Sequence, residues 1–128
     1  MADIAITLPA DLWQKIVSGE KDLELRKIRP KGLVAMVSRV FIILKGTSRV
    51  AGYFDYCGCI EMDNRYIAWR DYGDRLGIPR DWFLRYTSNC QRFFFWKVGY
   101  VHVFTGHYDA RKLLGLRTNP QCFAYVNL

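Results

Sequence analysis

Residues 19–26 read Gly19-Glu20-Lys21-Asp22-Leu23-Glu24-Leu25-Arg26, and the rest of the chain is read outward from this octamer. Gly19 suits a helix end, because a residue without Cβ enters the left-handed conformation at little cost. The residues after it predict a short strand. Side chains alternate across a strand, so Leu23 and Leu25 are expected on one face and Glu24 and Arg26 on the other. An acid and a base two residues apart, beside Lys21 at a helix–strand junction, make a compact charged constellation. Such a group holds a polar ligand, runs acid–base chemistry, or is an ordinary surface cluster of the kind that contributes little.

On the N-terminal side, Ile4, Ile6 and Leu8 alternate with Ala5 and Thr7 and predict a first strand. Pro9 suits the first turn of a helix running to about Ser18, with Leu12, Trp13, Ile16 and Val17 as its apolar stripe. On the C-terminal side, Arg29-Pro30-Lys31-Gly32 reads as a basic turn. Residues 33–44 hold one or two strands, the stronger at Val40–Leu44. Lys45-Gly46-Thr47-Ser48 reads as a hairpin connection, and Arg49–Cys59 as a long strand with Gly52 at a bulge or close approach. Tyr66–Leu76 predicts a helix broken by Gly77, and Pro79 opens a second helix to about Ser88. Arg92–Trp96 and Val98–Phe104 are strand-like, Asp109–Leu114 predicts a helical turn, and Phe123–Val126 a closing strand. Five to seven short strands with inserted helices predict an α+β fold: a small mixed barrel with helices plugging or flanking it. No glycine-rich phosphate loop joins a strand to a helix, which argues against a dinucleotide fold.

The 128 residues suit one domain with a single core. With 51% apolar and 16% aromatic residues, disorder over most of the length is not expected. No run reaches the roughly 18–20 apolar residues of a membrane span. The first residues show no basic-then-apolar leader pattern, so a cytoplasmic protein is expected. Nineteen Lys and Arg against twelve Asp and Glu leave a charge of +7, which suits a polyanionic partner. Arginines alternate with tyrosine, tryptophan and phenylalanine through residues 65–97, as in single-strand binders, although most aromatics of so small a domain belong to its core. Cys57-Gly58-Cys59 is too tight for a zinc knuckle, and Cys90 and Cys122 stand alone. Free thiols packed as small hydrophobes are expected, with no metal and no cofactor.

The spacing Gly19-x-Lys21-x-x-Glu24-x-Arg26, the Lys45-Gly46 turn, the strand containing Gly52 and the ending Pro120-Gln121-Cys122-Phe123-Ala124-Tyr125-Val126 together resemble the ASCH domain family of the PUA-like superfamily. The resemblance spans nearly the whole of residues 1–128. It implies a PUA-like β-barrel of five to six strands with flanking helices and a cleft between barrel and helices that takes RNA or a modified nucleoside. Glu24 and Arg26 would face that cleft with Lys21 at its rim. Lys21 and Arg26 would contact phosphate or a base carbonyl, and Glu24 an exocyclic amine. Lys45 would join them, and Trp13 or Tyr53 would supply a stacking face.

Some small ASCH proteins are amidohydrolases acting on N4-acetylcytidine through a threonine, a lysine and a carboxylate. Lys21 matches their lysine, Glu24 stands in place of the threonine, and the carboxylate falls near Asp74. Losing the hydroxyl removes the nucleophile. Ribonuclease activity is also associated with the family, with Lys21, Glu24 and Arg26 as base and phosphate clamps. A module that grips a protein partner through Tyr, Trp and Arg is the third reading. Binding of RNA or a nucleoside leads the three, and DNA is a possible competitor.

Overall fold

The computed structural model describes residues 2–30 and 37–126. Six strands form one sheet: β1 (Ala2–Leu8), β2 (Leu23–Arg26), β3 (Val37–Leu44), β4 (Val50–Met62), β5 (Phe93–Val103) and β6 (Ala124–Val126). Four helices join them: α1 (Ala10–Ser18), α2 (Arg65–Tyr72), α3 (Arg80–Thr87) and α4 (Ala110–Leu114), with a 3-10 turn at Gly73–Arg75. The expected elements are present with two differences: the helix expected over Tyr66–Leu76 stops at Tyr72 and passes into the 3-10 turn, and the segments Arg92–Trp96 and Val98–Phe104 merge into one strand. Lys31 and Gly32, and the first residues of the 33–44 segment, lie outside the described residues.

The strand order is β2-β5-β4-β3-β1-β6. The β1–β3 pair is parallel and every other pair is antiparallel. The backbone ladder does not close, which corrects the barrel expectation: β2 and β6 are the outer strands, four and three residues long. Arg26 spans the gap instead. Its Nη2 donates to the Thr7 carbonyl and its Nη1 to the Cys122 carbonyl, both at 3.2 Å.

Alternation along the strands sorts the core onto two faces. Ile4, Ile6, Leu8, Val40, Ile42, Phe54, Phe94 and Trp96 pack with Trp13 and Ile16 of α1 on one face. On the other, Phe41, Ile43 and Val50 meet α4, while Leu23, Leu25, Phe93 and Phe95 meet Ala68 of α2 and Phe83 of α3. Val17, expected in the apolar stripe of α1, is 41% exposed. Gly52 marks a close approach: a Cβ there would lie 2.1 Å from the His102 carbonyl oxygen and 2.8 Å from Trp13 Cζ2. All four cysteines are free, Cys59 and Cys90 half-buried, whereas Cys57 and Cys122 are exposed, contrary to expectation. Among the described residues no helix is long and apolar enough to cross a membrane.

Candidate functional site

The end of α1 determines where Lys21 sits. Gly19 adopts φ 86° and its N–H reaches the Ile16 carbonyl, while the Lys21 N–H turns back to the Lys15 carbonyl. The Gly73–Gly77 stretch is then clamped against this exit. Lys15 Nζ donates to the Gly77 carbonyl at 2.9 Å, and Arg75 forms a two-pronged pair with Asp22. Lys21 consequently points inward and is only 1% exposed.

Three acceptors surround the Lys21 ammonium: the Leu23 carbonyl at 2.6 Å, the Leu76 carbonyl at 2.7 Å and Glu24 Oε1 at 3.1 Å. An ammonium has three donors, so all are used. Glu24 faces Trp96 across the β2–β5 ladder and shares its face with Arg26. Arg26 donates from Nε to Glu24 Oε2 at 2.8 Å, and its Nη2 pairs with the same oxygen at 2.7 Å. Burial alone would raise the Glu24 carboxyl; the charges of Lys21 and Arg26, with their hydrogen bonds, outweigh it and hold the group below its ordinary range. Glu24 is thus a buried, ionised carboxylate. A carboxylate offers about four acceptor positions. Arg26 Nε takes one by a hydrogen bond to Oε2, and Lys21 Nζ and Arg26 Nη2 stand beside the group as ion-pair partners.

This triad forms the floor of a cleft of about 390 Å³ between α1, α3 and the segment before β6. Such a volume lies in the range that holds a small organic ligand. Leu8, Leu12, Leu25 and Ile78 give it apolar walls, Pro120 and Gln121 close one side, and the exposed Lys45 sits at its mouth. Trp82 and Tyr86, one turn apart on α3, line the remaining side. Their rings stack at 4.9 Å with 14° between planes, and Trp82 remains 42% exposed. Burial pushes the Tyr86 phenol up, so it stays a neutral donor around neutral pH.

The structure thus brings together Lys21, Glu24, Arg26 and Lys45, but with altered roles. Lys21 is on the floor and not the rim, and neither Lys21 nor Arg26 is a free anion contact, because their donors hold Glu24 and backbone carbonyls. Trp13 and Tyr53 do not line the cleft. Trp13 lies in the core over Gly52, and alternation turns Tyr53 to the opposite face, where it stacks on His102 at 5.2 Å and packs by Phe41. Asp74 is exposed on the 3-10 turn outside the cleft, so it does not complete a lysine–carboxylate catalytic set. The aromatic wall is Trp82-x-x-x-Tyr86, a pair that belongs to the arginine–aromatic stretch of residues 65–97 but was not singled out within it. Its helical spacing was a usable signal, since residues four apart share a helix face.

This mixed sheet, with its helices and the cleft beside β2, makes an α+β chain whose fold is that of solved ASCH-protein structures. The particular structures it matches are crystal structures of the ASCH protein of Zymomonas mobilis. A serine-to-alanine variant aligns with a TM-score of 0.82 and 17% identity, over 98% of this chain and 88% of that one. A tyrosine-to-phenylalanine variant aligns with a TM-score of 0.82 and 16% identity, over 98% and 90%. The unsubstituted protein aligns with a TM-score of 0.82 and 17% identity, over 98% and 87%. At such identities the likeness is one of fold. No family model and no curated protein matches the chain.

Proposed function

We propose that this chain is a binding domain that takes one base of RNA, or a modified nucleoside, into the cleft above Glu24. The observation that carries the reading is a buried carboxylate, held ionised by Lys21 and Arg26, that lines a cleft beside a stacked Trp82–Tyr86 wall. An ionised acceptor in such a cleft suits an exocyclic amine or ring N–H of a base, and the aromatic wall suits its π-face. Lys21 and Arg26 act indirectly, by keeping Glu24 charged and oriented. Lys45 at the mouth supplies a cation for a phosphate.

The test is titration with cytidine, guanosine and N4-acetylcytidine, followed by calorimetry and tryptophan fluorescence. Glu24→Gln and Trp82→Ala are each expected to weaken the best ligand about tenfold, in line with the roughly 1–3 kcal/mol of one base stack. If no nucleoside binds, or both variants bind like the wild type, the reading fails. Deacetylated cytidine or cleaved RNA appearing in the same samples, and lost in Glu24→Gln, would replace binding by turnover.

A further inference from the structure

The chain leaving β2 builds a second hollow beside the first. Lys27, Ile28 and Arg29, with Glu61, Arg92 and Phe94, line a pocket of about 490 Å³. Three cations there face one carboxylate. The Arg29 guanidinium lies 5.3 Å from the centre of the Phe94 ring, and Lys27 Nζ lies 4.6 Å from that of Tyr86. Among the described residues neither cation forms an ion pair. Arg92 meets Glu61 only at 3.6 Å with both side chains exposed, a pairing too loose and too well hydrated to neutralise much. A guanidinium held against a ring keeps its N–H fork for a planar or tetrahedral oxyanion. Tyr86 joins the two hollows: it walls the cleft and carries Lys27.

We propose that this pocket is a backbone subsite, in which Arg29, Arg92 and Lys27 hold the phosphodiester chain of a single-stranded nucleic acid whose base occupies the Glu24 cleft. The proposal rests on the cleft reading for the position of that base and goes beyond it in giving the nucleic-acid backbone a site of its own. Consecutive residues divide the work, Arg26 beneath the base and Lys27 beside the backbone. A single strand is favoured over a duplex, which would first have to unstack and unpair the base at a cost of a few kcal/mol.

The test uses fluorescein-labelled RNA and DNA of one sequence, about nine nucleotides long. Anisotropy is measured across a salt series, alongside the mononucleoside titration. In Arg29→Gln/Arg92→Gln the oligonucleotide affinity is expected to fall at least about tenfold and the slope of log K against log salt by about 1.4, two phosphate contacts at about 0.7 each. Mononucleoside affinity should be unchanged. Glu61→Gln should tighten the oligonucleotide, a gain that damage to folding cannot mimic. Equal effects on RNA and DNA assign the pocket to the shared backbone, and an effect on RNA alone assigns it to the ribose polymer. An unchanged slope in the double variant, or wild-type oligonucleotide binding no tighter than mononucleoside binding, overturns the proposal. Failure of the cleft reading has a different mark: nucleosides do not bind, while the oligonucleotides still respond to Arg29 and Arg92.

Discussion

Glu24 keeps its charge in a place where burial alone would remove it, because Lys21 and Arg26 sit within 3.1 Å and 2.7 Å. Its folded value lies below the ordinary 4.5, so its contribution to stability is whole above that value and is lost as pH falls through the lower, folded one. Urea unfolding between roughly pH 7 and pH 3 should therefore show Glu24→Gln less stable at neutral pH, with the gap to wild type narrowing on acidification. Parallel curves would mean that Glu24 is not held below its ordinary value. The residues of this triad were legible in the sequence because their spacing is local: three side chains within one turn and one strand. Their roles were not, because the partners of Lys21 and Arg26, the carbonyls of Leu76, Thr7 and Cys122, come from segments far along the chain.

At the scale of elements, two glycines separate conformational from steric causes. Gly19 caps α1 in the left-handed region, and a Cβ added there would meet nothing within 4 Å, so Gly19→Ala should cost about 1–2 kcal/mol from backbone preference alone. Gly52→Ala places a methyl against a backbone carbonyl and the Trp13 ring, and should cost at least about 3 kcal/mol. Urea midpoints that rank the two variants in the opposite order would contradict this packing. Element positions were readable because punctuation is strong here: Gly19 ends α1, Pro79 begins α3, and apolar alternation marks β1 and β4, whereas the end of α2 falls at Gly73 and not at Gly77. The aromatic wall was obscured because Trp82 and Tyr86 sit in a stretch where Phe83, on the same helix, is wholly buried. Composition cannot tell one from the other; the helical face does. The parallel β1–β3 pairing was likewise beyond reach, since alternation is the same whichever way two strands run.

For the whole molecule, the sheet's two ends meet through a side chain and not through a ladder. Arg26→Lys keeps the charge but loses the planar fork that reaches Thr7, Cys122 and Glu24 together. Amide exchange across β6 should accelerate about tenfold in that variant, the equivalent of one weakened charge-assisted bond. Unchanged protection would mean that β6 is held by its pairing with β1 alone. Ring closure was expected from the strand pattern and from the resemblance alike, whereas the ladder is open between β2 and β6, outer strands of four and three residues.

Pro120 and Gln121, which wall the cleft, lie just ahead of β6, a strand of three residues paired with β1. Occupancy of the cleft and pairing of β6 are therefore thermodynamically linked. A ligand that touches the wall stabilises the paired form, and any weakening of that pairing subtracts from apparent affinity in proportion. Substitutions in β6 should then alter recognition at a distance, with no contact to whatever is bound.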